Sequence, residues 1–197
     1  MFNNINKYHF DRFFSANGFI YPKDIVEVVQ ITDLDGSFVP NENCKMFTPD
    51  IFAEDGYIYM PPYIYGSSAE DVIDRNRVKA TNLLFLAGLQ TIKVKTKTVP
   101  YSIFYFSSNI DHFLYDKPNG TPSEKVSRAE SFADSIEMKG IDIVDYFSRH
   151  QYATPIMNYA ESWEYVVKEK RSICRGTNLN VYLNTLKDRI QQYREVR

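Results

Sequence analysis

Apolar residues fall into two β-rich stretches and several helically spaced series, and the alternation of these patterns outlines an α/β chain. The run from Ile25 to Ile31 passes into Thr32-Asp33-Leu34-Asp35-Gly36, which predicts a buried strand over 25–32 that opens into a glycine turn. A second run, Tyr101-Ser102-Ile103-Phe104-Tyr105-Phe106, predicts another buried strand, ending in Ser107-Ser108-Asn109. Ahead of the first strand, Ile5, Tyr8, His9, Phe13 and Ala16 recur at helical spacing before Gly18, which predicts a helix over 4–17. Ser67-Ser68-Ala69-Glu70 has the form of a capping box. Val72, Ile73, Val78, Leu83, Leu84, Leu86 and Leu89 extend it into a long helix.

Between these elements the pattern changes twice. Residues 37–66 are rich in proline and aromatics and read as an excursion beside the glycine turn, with one short strand over 57–60. Thr91 to Thr98 is polar and β-prone. After the turn Pro118-Asn119-Gly120 the chain reads as four helices: from Ser123, as cap, to about Lys139, then Ile141 to Arg149, Tyr159 to Cys174, and Asn178 to Arg194. The expected architecture is α/β, a small Rossmann-like sheet within residues 1–120, with a helical C-terminal extension over 121–197 packed on it.

Composition narrows the class. The chain has 197 residues, 44% hydrophobic and 24% charged, which suits one packed domain with small additions. A net charge of −2 provides no global attraction to nucleic acid, so such binding must rest on a local patch. Cys44 and Cys174 lie far apart, and neither they nor His9, His112 and His150 have zinc-site spacing. No run has the length of a membrane helix and Phe2-Asn3-Asn4 is not a secretory start, so a cytoplasmic setting with free thiols is expected.

The candidate chemistry sits where the strands end. Asp33 and Asp35 leave the first strand one residue apart, at the carboxyl edge where open α/β sheets place ligands. Two such carboxylates repel unless a cation lies between them, which points to Mg²⁺ or Mn²⁺. Asp-x-Asp-Gly is equally sound turn chemistry. Asp111, after the second strand, would complete a three-carboxylate set if the strands are parallel neighbours. His112 beside it is a candidate proton carrier or phosphate contact, and a capped helix start explains the same segment. Ser107 and Ser108 are candidate substrate contacts. Lys93, Lys95 and Lys97 alternate along one strand face, as a stripe for a phosphate backbone or as gatekeepers of a sheet edge. Arg75, Arg77 and Lys79 read as solvated surface, and Lys125 and Arg128 as solvated or phosphate-facing. No phosphate-binding P-loop or Gly-x-Gly-x-x-Gly is present, so no dinucleotide cofactor is expected.

On these residues the chain resembles the Toprim-type nucleases, including the OLD-family and RloB-like proteins of bacterial phage defence. Phe106-Ser107-Ser108-Asn109-Ile110-Asp111-His112-Phe113-Leu114 is similar to the Ser-Asn-Pro-x-Phe-Glu segment of RloB-like proteins, over a match of roughly residues 5 to 120. The resemblance implies a Mg²⁺-dependent nuclease whose metal-facing set is Asp33, Asp35 and Asp111. No Glu-Gly segment on an opening strand precedes them. By that resemblance the chain is expected to be a shortened or decayed copy, or one supplied with its glutamate by another polypeptide. Asp33-Leu34-Asp35-Gly36-Ser37 also resembles the signature of haloacid dehalogenase-like phosphatases. That likeness implies Asp33 as nucleophile, Asp35 as general acid/base, Ser107 or Ser108 as phosphate clamp, and Lys125 or Lys139 as the family's lysine. A third reading is a non-catalytic binding module whose aromatic 57–65 surface engages a protein partner.

Overall fold

The computed structural model describes residues 10–53, 56–150, 152–154 and 158–195. In chain order these form α1 (Asp11–Ala16), β1 (Val28–Asp33), β2 (Cys44–Met46), β3 (Ile58–Met60), β4 (Tyr63–Gly66), α2 (Ala69–Ala87), β5 (Thr91–Val94) and β6 (Lys97–Phe106). Five helices follow: α3 (Ile110–Tyr115), α4 (Pro122–Lys139), α5 (Ile143–Arg149), α6 (Tyr159–Lys168) and α7 (Leu179–Glu195). The fold is α/β with two small mixed sheets, one ordered β1-β6-β5 and the other β2-β4-β3. The expected helix over 4–17 is seen as α1 from residue 11; its first part, with Ile5, Tyr8 and His9, lies outside the described residues.

The excursion over 37–66 is a sheet in its own right. β2 runs parallel to β4, and β3 antiparallel to it, so three strands stand where one was expected. They are only three or four residues long, too short for their alternation to register as a pattern. The helix starts also differ in detail. Ser68, not Ser67, caps α2 by accepting from the Asp71 N–H at 3.0 Å. Thr121, not Ser123, caps α4 in a reciprocal box with Glu124.

Residues group into two compact units, Met1–Gln30 with Leu83–Ile103, and Ile31–Asn82 with Phe104–Arg197. In the first, β5 and β6 form a hairpin whose pairing runs from Thr91↔Pro100 to Val94↔Lys97. Ile92, Val94 and Val99 are its buried residues, and the Tyr101 hydroxyl is bonded to Gln30 at 2.7 Å. The second unit holds two clusters. Val39, Cys44, Ile64, Val72 and Ile173 form one, and Tyr57, Tyr59 and Ile73 pack against it. An aromatic series of Phe106, Phe113, Phe147 and Phe132 forms the other. Each fully buried side chain of this size contributes about 1.5–3 kcal/mol. The helices after residue 121 group in the same unit as the aspartate turn.

That turn is tightly enclosed. Gly36 has a φ of 74°, and a Cβ on it would overlap the Ile64 side chain. Gly36→Ala is expected to lose about 2–4 kcal/mol, from the left-handed backbone and from overpacking against Ile64. Urea unfolding followed by circular dichroism measures it; a midpoint equal to that of the parent chain would mean the turn can relax around a methyl group.

Candidate functional site

β1 and β6 deliver their exits to one rim. The Leu34 N–H donates to the Phe106 carbonyl and the Asp35 N–H to the Ser108 carbonyl, each at 2.9 Å, so the two exits advance side by side in the same sense. Open sheets leave ligand room at such an edge. Both acidic segments, 33–37 and 107–112, thus lie in the second unit and next to one another.

The Asp33–Gly36 turn is held from three directions. The Ser37 hydroxyl donates back to the Leu34 carbonyl. Ser172 holds the turn twice: its carbonyl accepts from the Gly36 N–H at 3.0 Å and its hydroxyl from the Phe38 N–H at 2.9 Å. From α2, the Arg75 guanidinium donates to the Asp35 carbonyl and the Lys79 ammonium pairs with the Asp35 carboxylate. Arg75 also stacks over Tyr57 at 4.1 Å and reaches the Tyr59 hydroxyl at 3.4 Å. Arg75 and Lys79 are one helical turn apart on one face. Expected as solvated surface, they instead clamp the turn; Arg77 alone stays outside, paired with Asp74 on the surface.

Electrostatics single out Asp33. Its carboxyl is pushed up to about 6, chiefly by burial and then by the charge of Asp35. The Lys79 and Lys125 ammonium groups and the Ile110 N–H, at the start of α3, pull the other way without restoring the ordinary value. Asp33 is therefore short of positive charge, which is the condition a bound cation relieves.

Asp111 does not join that pair. Its carboxylate is buried and faces Arg128 of α4 at 3.4 Å, and Arg128 also donates to the Asn119 carbonyl at 3.4 Å. Among the described residues no group of three or more His, Cys, Asp or Glu is arranged to hold a metal ion, so the expected three-carboxylate centre is not formed. The residues do fit a smaller arrangement. Mg²⁺ is commonly bound through one or two carboxylates with water and substrate phosphate completing its shell. Asp33 and Asp35 match that donor set, and the buried Ser108 hydroxyl at the neighbouring exit has no hydrogen-bond partner.

The other expected contacts divide. Asn109 caps α3 by accepting from the His112 N–H at 2.9 Å, so the capped helix start is present. His112 is buried, with Nε2 on Asp116 at 3.4 Å and Nδ1 unpartnered, and burial lowers its pKa. Ser107 is anchored through its N–H to the Gly176 carbonyl. Lys93, Lys95 and Lys97 do not form a stripe. Lys95 occupies the hairpin turn with a φ of 57° and pairs with Asp11, while the Lys97 ammonium donates to the Lys23 and Ile25 carbonyls. A two-residue turn between β5 and β6 breaks the alternation that would align them. The 57–65 aromatics are split as well: Tyr57, Tyr59 and Tyr65 are half-buried, and Tyr63 is exposed.

No family model, curated protein or solved structure matches the chain. Among the described residues no helix is long and apolar enough to cross a membrane.

Proposed function

We propose that the β1–β6 rim is a divalent-cation-dependent phosphoester-cleaving site of nuclease-like type, built on Asp33 and Asp35. The observation that carries this reading is Asp33 itself: a carboxyl at a strand exit, raised to about 6 by burial and by a second acid, with Lys79 and Lys125 nearby. Asp33 and Asp35 would hold Mg²⁺ or Mn²⁺, which supplies a polarised phosphoryl oxygen and an acidified water. The chain's own groups do the rest. Lys79, now neutralised on Asp35, becomes available to a phosphate once the carboxylate has another partner. Lys125 adds a second positive charge on the Asp33 side, and the Ile110 N–H orients the Asp33 carboxylate. The enclosing bonds from Ser37, Ser172 and Arg75 keep both acids in place, which limits reorganisation during the reaction. Mn²⁺ titration by calorimetry tests the reading: saturable binding that Asp33→Asn removes is expected, together with Mg²⁺-dependent cleavage in a panel of DNA and RNA strands. Absence of any binding heat at millimolar-range Mn²⁺ would end it in favour of a non-catalytic module.

One observation favours a phosphatase as the second reading. Lys125 acts on Asp33 electrostatically, and serines leave the adjacent strand. Against it, the late acids are engaged elsewhere: Asp142 caps α5 and Asp145 pairs with Lys187 and Arg149. An aspartyl-phosphate trapped at Asp33 with a small phosphoester would choose this alternative.

A further inference from the structure

A cavity of about 200 Å³ has none of the aspartate-turn residues in its lining, which includes Tyr105, Ser107, Tyr152, Tyr165, Arg171 and Arg175. Two guanidinium groups face it, and no acidic side chain lines it. Arginine stays charged at every physiological pH, so this is a fixed concentration of positive charge. Arg175 is a preset wall. It stacks on Tyr152 at 3.7 Å and donates to the Phe113 and Leu114 carbonyls at 3.0 and 3.3 Å, while its nearest acid, Asp116, is solvent-exposed at 3.8 Å. Arg171 lies over Tyr165 at 5.1 Å and has no carboxylate partner among the described residues. Ser107 is a buried residue that lines the cavity beside the two arginines.

We propose that this cavity binds a small oxyanion of the phosphate class, held by Arg171, Arg175 and the Ser107 hydroxyl. The chemistry follows from the lining: planar guanidinium forks match tetrahedral oxyanions through paired N–H bonds, and a hydroxyl adds a further donor. Size sets the class. Sites for drug-sized ligands span about 300–1,000 Å³, so this one suits inorganic phosphate or the phosphate of a very small monoester rather than a nucleotide. Ser107 belongs to the cavity, whereas its neighbour Ser108 accepts the Asp35 N–H, so the anion site adjoins the β1–β6 rim without sharing its acids.

Inorganic phosphate is the probe, titrated by calorimetry and by thermal melting against sodium chloride of equal ionic strength. Saturable binding and a rise in melting temperature beyond that of chloride are expected. Arg171→Gln, at an exposed residue whose loss leaves the fold intact, weakens binding about tenfold or more, and Ser107→Ala weakens it less. Asp33→Asn leaves phosphate binding unchanged, which separates this site from the rim. A nucleoside monophosphate binds more weakly than phosphate itself, whereas glycerol phosphate binds comparably if a small monoester is the resident ligand. An equal effect of chloride, unaltered binding by Arg171→Gln, or loss of binding in Asp33→Asn would each overturn the proposal.

Discussion

Asp33→Asn is expected to cut metal-dependent phosphoester cleavage by about 10²–10⁴-fold, the several kcal/mol that a metal-holding carboxylate supplies, while making the metal-free protein more stable at neutral pH. The two effects share one cause. In the folded chain Asp33 is raised to about 6 from an ordinary 3.8, by burial and by Asp35. A carboxyl raised on folding holds its proton better in the native state than in the unfolded one. Its favourable contribution is complete below about pH 4 and is lost as pH rises through about 6. Above that, the ionised side chain opposes folding. The rise from 3.8 to about 6 corresponds to about 3 kcal/mol, and solvent reaching the half-buried group reduces this to about 1–2 kcal/mol. Asparagine removes the charge and with it the penalty. Unfolding curves at a series of pH values should therefore converge for the two proteins in acid and separate at neutral pH, and added Mn²⁺ should narrow the gap by stabilising only the parent chain. Cleavage retained in Asp33→Asn, or a variant less stable than the parent at neutral pH, would remove the site from consideration.

Arg128→Ala should lower the stability of the second unit by about 3 kcal/mol, with cation affinity unchanged. Its side chain and that of Asp111 are only 16% and 9% exposed, so truncating the arginine leaves a carboxylate without its counter-charge in a place water scarcely reaches. The arginine also bonds the Asn119 carbonyl and lies against Gly120, so the turn before α4 loosens with it. Asp111→Asn is the partner experiment. If the acid serves structure, as its ion pair indicates, the substitution lowers the unfolding free energy and leaves Mn²⁺ binding at Asp33 and Asp35 as it was. A fall in Mn²⁺ affinity with the fold intact would return Asp111 to the metal set.

The Asp-x-Asp-Gly turn is legible because a β-rich apolar stretch and a glycine bracket it. The capped start of α3 was legible for the same local reason: Asn109 and the His112 N–H are three residues apart. The spacing of Arg75 and Lys79 places them on one helical face. Their target, Asp35, is some forty positions earlier, and no local rule joins the two. Ser172 had no signal at all; it looks like a loop serine until the chain folds back and sets both its polar groups on the glycine turn.

The linear order of apolar and polar residues determined by itself the α/β character, the two principal strands, the long helix after Ser68 and the helical run beyond residue 121. Each depends on periodicity and capping over a few residues, and those forces act within a segment. Only the tertiary structure decided which charges meet. It gave Asp111 to Arg128 and Asp35 to Lys79, bent the 93–97 lysines around a hairpin turn, and gathered two arginines and a serine around a cavity. Charge pairing depends on distance and burial between segments remote in sequence, and neither exists until the chain has folded.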